Sequence, residues 1–174
     1  MRVIQLNPLD PSSIDNAIKE VKAYRQWIED KTKELLRRLA ERGCEISRVN
    51  FSPANAMYDG TNDVTCSISI LSDHLAAVIA SGNATLFIEF GTGILWPDTH
   101  PENQFSRGGY GYGLGKMAGG WYYNGDPGSN GEIITEGKHA GKVHTYGNPA
   151  NASMYLAIRQ LEREFVEIAK EVFV

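Results

Sequence analysis

The segment at residues 86–93, which reads LFIEFGTG, constrains this chain more than any other part of it. One carboxylate, Glu89, lies inside an apolar and aromatic run, and a Gly91-Thr92-Gly93 turn ends that run. A buried carboxylate needs a hydrogen-bond donor or an ion-pair partner to offset its lost hydration. We expect Glu89 to accept hydrogen bonds from the glycine turn, or to pair with an arginine across a subunit contact. Because no histidine or second carboxylate lies near it in the sequence, the pattern favours an architectural use over a catalytic one.

The N-terminal region predicts one unusually long helix. Val3–Leu6 is predicted to be a short edge strand, and Ser12 and Ser13 are the N-cap candidates for the helix that follows. Apolar residues then recur at intervals of three and four, and Gly43 is placed just past the helix end. A helix of about thirty residues would span about 45 Å. A helix of that length indicates that part of its apolar face meets another subunit.

Four shorter apolar segments follow this helix. The patterns at Glu45–Phe51 and Val64–Leu71 predict strands, and the second alternates apolar and polar residues so that one face is buried. Leu75–Ala80 favours a strand as well. Leu86–Phe90 fits either a strand or a short helix, because periodicity does not separate the two in so short a run.

The order of elements predicts the fold class. Asn151–Val174 is predicted to be a second amphipathic helix, capped by Asn151 or Ser153. Residues 95–141 form a long insertion rich in glycine and aromatic residues, with at most a short hairpin near Ile133. We therefore expect a single α+β domain over residues 1–174, in which a small, mostly antiparallel sheet is packed by the long N-terminal helix and the C-terminal helix.

The aromatic residues of the insertion are candidate contact residues. They include Trp96, Trp121, Tyr122 and Tyr123, with glycines around them. Exposed rings of this kind stack on sugars, pack back on the sheet, or anchor a protein–protein contact. The packing and interface interpretations are favoured here.

The histidines of the insertion are the candidates for a metal site. His100 lies two residues after Asp98, and His139 and His144 are five residues apart. Imidazole and carboxylate are ordinary zinc ligands. None of these spacings places two ligands on one helical turn, so we interpret the histidines as surface loop residues and expect no metal site.

Nucleotide-binding and nucleophile motifs are incomplete. The stretch Gly109–Lys116 resembles a phosphate-binding loop, but Met117 stands where such a loop requires serine or threonine. No serine lies in a G-x-S-x-G elbow. We therefore expect no catalytic residues, no cofactor and no enzymatic turnover.

Charge and hydropathy exclude further classes of partner. A formal net charge of -4 disfavours non-specific nucleic-acid binding through phosphates for the monomer as a whole, while a local basic patch stays open. No sequence-specific nucleic-acid binding is expected. Cys44 and Cys66 fit no zinc pattern. No apolar run approaches the roughly 18 residues of a membrane span, and the N-terminus has no signal-peptide pattern, so no membrane association is expected.

Several motifs together resemble a known family. These are FIEFGTG at 87–93, GGWYYNG at 119–125, the YGNPA step at 146–150 that leads to Met154-Tyr155, and the closing helix with EIAKEVF at 167–173. In this order they resemble the neck, or tail-completion, proteins of long-tailed bacteriophages, often described as minor tail components. That family shows an acidic residue before Phe-Gly-Thr-Gly, a variable glycine-rich insert, a Gly-x-Pro-Ala step and a C-terminal amphipathic helix.

The resemblance implies a structural assembly protein of a phage or prophage particle. Such a protein helps to finish the tail or to join it to the head as part of an oligomeric ring, in contact with other neck and tail proteins. It would be assembled in the bacterial cytoplasm and reside in the neck or tail of the virion. The alternative is a phage or bacterial cell-wall glycan-binding module or hydrolase that uses the aromatic loop.

Overall fold

The computed structural model describes residues 4–53, 63–93, 100–101, 119–128 and 130–174. The helices and strands are, in chain order, α1 (Pro11–Phe51), β1 (Thr65–Ser72), β2 (Leu75–Ser81), α2 (Thr85–Phe90), β3 (Thr92–Gly93), β4 (Trp121–Tyr123), β5 (Gly131–Ile133), β6 (Val143–Thr145), β7 (Gly147–Asn148) and α3 (Ser153–Val172). This is the predicted α+β class. Residues 4–7 have no regular structure, so the edge strand predicted there is wrong.

Helix α1 is longer than predicted. It has 41 residues, or about 61 Å at 1.5 Å per residue, and begins at Pro11 with Asp10 as its cap rather than Ser12 or Ser13. The Asp10 carboxylate accepts a hydrogen bond from the Ser12 backbone N–H at 2.9 Å. At the other end, the predicted stop at Gly43 and the predicted strand Glu45–Phe51 are both wrong, because the helix continues through them.

Gly43 is a packing residue rather than a helix end. A Cβ at this position would lie 3.4 Å from Leu161 and 3.4 Å from Val78. The glycine therefore lets α3 and β2 approach α1 closely on the same turn. Continuing the helix also buries Cys44, Ser47 and Phe51, which lie three and four residues apart on one helical face.

Helix α3 confirms the predicted C-terminal helix and packs antiparallel to α1. Its first residues lie beside Asn50 near the end of α1, and Phe173 just after it meets Trp27 edge-on, with ring centroids 6.0 Å apart. Between these ends, the Arg42 guanidinium donates to both carboxylate oxygens of Glu164, at 2.7 and 3.1 Å. The C-terminal helix thus packs mainly on the long helix.

The strands form three small antiparallel sheets instead of the single sheet predicted. Both strands of the β1–β2 hairpin were predicted, and the hairpin packs on α1. Its burial is uneven, because Cys66 is buried whereas Ile68 and Ile70 on the same strand are exposed. The core groups Cys44, Phe51, Cys66 and Ile88. Ile88 lies on α2, so the segment Leu86–Phe90, which fitted either a strand or a short helix, is helical and completes the core.

Among the described residues, no helix is both long and apolar enough to cross a bilayer.

The Arg42–Glu164 pair predicts a pH dependence of stability. Hydrogen bonding from Arg42, and then from Gln160, lowers the pKa of Glu164 from 4.5 to about 2. Because the folded-state pKa is the lower one, this carboxylate stabilises the fold above pH 4.5, and the contribution is lost as the pH falls towards 2. We expect Glu164→Gln to lower the melting temperature modestly at pH 7, since solvent partly screens the pair. The difference from the parent protein should vanish near pH 2.

Glu167→Gln is the matched control. Among the described residues, Glu167 forms an ion pair only with Lys170 of its own helix, at 2.8 Å. Melting curves between pH 7 and pH 2 decide the matter. A Glu164→Gln deficit that persists unchanged at pH 2 would contradict this role.

Candidate functional site

The candidate site is the junction at which Glu89 meets the start of α3. The Glu89 side chain lies on α2 and is buried, with 7% of its residue surface exposed. One carboxylate oxygen accepts the backbone N–H of Met154 at 2.8 Å, and the other accepts that of Tyr155 at 3.1 Å. Among the described residues, its backbone donors therefore lie in α3 rather than in the predicted glycine turn.

Helix α3 depends on this carboxylate because it has no side-chain cap of its own. Its N-cap residue is Ala152, which has a left-handed backbone conformation with φ 50° and ψ 41°. The first N–H groups of a helix lack partners within the helix and carry partial positive charge. Glu89 supplies both an acceptor and a negative charge at that point. It is a helix cap contributed by a distant element of the chain.

The predicted caps, Asn151 and Ser153, join α3 to α1 instead. The backbone oxygen of Asn50 accepts hydrogen bonds from the Asn151 side chain at 2.8 Å and from the Ser153 hydroxyl at 3.1 Å. The Asn50 side chain in turn donates to the Ser153 carbonyl oxygen at 3.0 Å. These bonds fix the end of α1 against the start of α3.

His100 completes the junction and corrects two predictions. Its Nε2 lies 3.3 Å from a Glu89 carboxylate oxygen, and only 3% of its surface is exposed. Its ring also packs against Phe90 and meets Tyr155 edge-on, with centroids 5.2 and 5.5 Å away. The histidine is therefore not a surface loop residue, and Glu89 does have a histidine neighbour.

Gly91 allows two backbone segments to touch. Its φ is +72°, and a Cβ there would lie 2.6 Å from the Ala150 nitrogen and 2.8 Å from the Asn148 oxygen. Nearby, the Ile88 carbonyl accepts the Asn151 N–H at 2.8 Å, and β3 pairs with β7 immediately after the glycine. The backbone conformation at Gly91 is therefore one that a side chain would penalise.

The site residues predicted in the insertion lie in a separate sheet. Trp121–Tyr123 form β4, which belongs to a three-stranded sheet in the order β4-β6-β5, larger than the predicted hairpin. Trp96 and Asp98 lie outside the described residues.

The ring of Tyr122 stacks with two histidines. Its centroid lies 4.0 Å from that of His139 and 4.6 Å from that of His144, with interplanar angles of 9° and 28°. His139 and His144 therefore serve in an aromatic stack rather than as free loop residues. In the described part of the chain, no group of three or more His, Cys, Asp or Glu is placed to hold a metal ion.

The structure thus brings Glu89 and Gly91 together with residues that sequence reasoning missed, namely His100, Asn50 and the backbone of Met154 and Tyr155. Thr92 and Gly93 form β3 beside them.

No protein-family model matches this chain, and neither a curated protein nor a solved structure does. Conclusions about function therefore rest on the chain's own residues and their geometry.

Proposed function

We propose that this protein is a structural assembly component of a phage or prophage particle. In this proposal it is a neck or tail-completion protein that helps to finish the tail, or to join it to the head, as part of an oligomeric ring. The proposal rests on the order of the motifs at 87–93, 119–125, 146–150 and 167–173, and the observation that supports its architectural part is the engagement of Glu89 by the Met154 and Tyr155 N–H groups. The acidic residue of the Glu-Phe-Gly-Thr-Gly motif is used to hold the fold together.

The environment of Glu89 supports an architectural role over a catalytic one. A general acid or base has to reach a proton of its substrate at hydrogen-bond distance. Both oxygens of Glu89 already accept backbone N–H groups, and the residue is buried. The His100 ring beside it is buried as well, between aromatic neighbours.

The shape of α1 supports assembly with other subunits. The helix is about 61 Å long and leaves large apolar residues half-exposed along its first turns. Contiguous exposed apolar surface marks contact sites in soluble proteins.

The glycan-binding alternative draws less support from the aromatic residues. Sugars stack on an open ring face, whereas the Tyr122 ring is already stacked with His139 and His144.

Removing the gene from a phage that carries it is expected to leave filled heads and separate tails that do not join. The wild-type gene supplied in trans should restore joined particles, and the Gly91→Val variant should not, because its junction cannot close. Electron microscopy and plaque counts measure this. Joined, infectious particles in the complete absence of the protein would contradict the proposal.

A further inference from the structure

The β1–β2 hairpin is a sheet of only two strands, so each strand has an outer edge. Directly opposed residues in an antiparallel pair alternate between exchanging hydrogen bonds and turning their backbone groups outward. The Arg48 guanidinium donates to the Cys66 carbonyl oxygen at 2.9 Å, which places that oxygen on the outward side of β1. Cys66 lies opposite Ala80, so the same alternation turns the N–H and C=O groups of Ala76, Val78 and Ala80 outward from β2.

The neighbouring pair fits this register. Thr65 Oγ1 donates to the Ser81 carbonyl oxygen at 3.3 Å, so that oxygen points towards β1. In the part of the chain that the structure describes, no hydrogen bond fills the outward groups of Ala76, Val78 or Ala80. The outer edge of β2 is therefore open over most of its length.

This edge has none of the usual protection against strand pairing. Soluble proteins protect an open edge with charged residues, proline or a bulge. The strands read TCSISILS and LAAVIAS, without a charged residue or a proline. The shift in register lies between Ile70 and Ser72, beside the turn, and leaves the rest of β2 regular. The seven residues of β2 are thus suited to pairing with a further strand.

Helix α3 lies beside the outer edge of β2. The Cβ position of Gly43 is 3.4 Å from Val78 and 3.4 Å from Leu161, so β2 and α3 meet on the same side of α1. Ile158 and Phe165 lie three residues before and four residues after Leu161, on the same face of α3. They are 55% and 45% exposed.

The hairpin is too narrow to cover both helices. Axes of packed helices are roughly 8–10 Å apart, whereas neighbouring strands are about 4.8 Å apart. Two strands packed on α1 therefore leave the sheet-facing side of α3 uncovered, which accounts for the exposure of Ile158 and Phe165. The uncovered width fits one more strand beside β2.

We infer that the outer edge of β2 binds an extended segment of a different protein as a third strand. The backbone of that segment pairs with Ala76, Val78 and Ala80, and every second side chain packs on Ile158 and Phe165. Because both helix residues are apolar, the segment carries apolar side chains at those alternate positions and no charge among them. The inference does not rest on the proposed function, since the edge and the helix beside it belong to the isolated chain.

A second copy of this chain fits the edge less well than an isolated strand. If the β2 strands of two copies paired, α3 of one copy would meet α1 of the other beneath the joined sheet. The outer edge of β1 is already used in part, because Arg48 binds the Cys66 carbonyl through two nitrogens. An isolated segment brings no helix with it and leaves this bond in place.

The test uses the full-length protein and a fluorescent nonapeptide in which threonine and valine alternate between two terminal lysines. Fluorescence anisotropy should show saturable binding, and amide hydrogen exchange should locate it. The amides of Ala76 and Val78 should exchange quickly in the free protein and at least about tenfold more slowly with peptide bound. The amide of Ile79, which pairs with Ser67 of β1, should be protected in both states.

Two substitutions in β2 separate the open edge from the paired one. Ala76→Pro removes an outward N–H that the fold does not use, so the hairpin should remain while peptide binding weakens at least about tenfold. Ala77→Pro removes an N–H that pairs with Ser69, and the Ile79 amide should then lose its protection. If Ala76→Pro does not fold, the parent protein with a peptide methylated on every N–H between the lysines replaces it, and this peptide should not bind.

Substitutions in α3 test the helix contact. Phe165→Ser should weaken peptide binding, whereas Val166→Ser is the matched control and should not. Val166 is 55% exposed on the same helix, but about 100° around it from Phe165.

Three results would overturn the inference. The first is unchanged exchange at Ala76 and Val78 with peptide at millimolar concentration. The second is equal binding of the methylated peptide, which would exclude strand pairing. The third is a parent protein in which both amides are already protected and whose oligomer becomes a monomer in Ala76→Pro, because a second copy would then fill the edge. Particle joining tests the proposed function separately from all three.

Discussion

Replacing Gly91 with valine is expected to remove nearly all soluble, folded protein. Gly91 has φ +72°, and its Cβ position lies 2.6 Å from the backbone of Ala150 and 2.8 Å from that of Asn148. Backbone atoms cannot turn away as a flexible side chain would, so the contact between β3 and β7 has to open. We expect a loss of about 4 kcal/mol or more, a large part of the roughly 5–15 kcal/mol that stabilises a domain. Soluble yield and urea denaturation measure it.

Gly137 provides the control that separates backbone strain from close approach. Its φ is +82°, but no heavy atom lies within 4 Å of its Cβ position. Gly137→Ala should therefore lose only about 1 kcal/mol, from the backbone conformation alone. Gly91→Ala should lose clearly more. Equal losses for the two alanine variants would show that the packing at Gly91 contributes little.

Glu89→Gln is expected to destabilise the fold by about 1.5–3 kcal/mol, because hydrogen bonds to a buried charged acceptor are of this strength. Glutamine keeps one acceptor oxygen but replaces the other with an NH₂ group, which faces either the Met154 or the Tyr155 N–H. The variant also loses the negative charge at the start of α3. Glu89→Leu should lose more, since both N–H groups are then left without an acceptor.

Asp63→Asn is the matched control for this loss. Asp63 also accepts two backbone N–H groups, from Asn83 at 2.7 Å and Ala84 at 3.1 Å, but it is exposed. Water can replace those hydrogen bonds. Asp63→Asn should therefore lower the free energy of unfolding, measured by urea denaturation, by less than Glu89→Gln does. A larger effect at Asp63 than at Glu89 would contradict the importance given to burial.

The two long helices, α1 and α3, were predictable from the sequence because their apolar spacing is long and regular. The end of α1 was not, since Gly43 in a helix is unfavourable by only about 1 kcal/mol. That cost is readily offset by packing, because the absence of a Cβ at Gly43 lets Leu161 and Val78 pack closely against the helix. The strands β4 and β6 were missed because three residues are too few to show an alternating pattern, whereas β5 includes Ile133, near which a short hairpin was predicted.

The candidate site was half predictable. A carboxylate inside an apolar run has to find partners, and this identified Glu89. Its hydrogen-bond donors lie 65 and 66 residues further along the chain. They are backbone N–H groups, which every residue except proline has, so the residue types there do not identify them. Ala152 was not predictable either, because its backbone is left-handed whereas the residues that usually adopt this conformation are glycine, asparagine and aspartate.

Amide hydrogen exchange at Met154 and Tyr155 tests most directly the claim that Glu89 is the cap of α3. Both amides should be protected in the parent protein. In Glu89→Gln at least one of these amides should exchange about tenfold faster or more, because each 1.4 kcal/mol of lost local stability raises the exchange rate about tenfold. This increase should exceed any change at Leu161, which lies in the middle of the same helix and serves as the reference. Unchanged protection of both amides would mean that Glu89 does not hold this junction, and the architectural account of the Glu-Phe-Gly-Thr-Gly motif would be wrong.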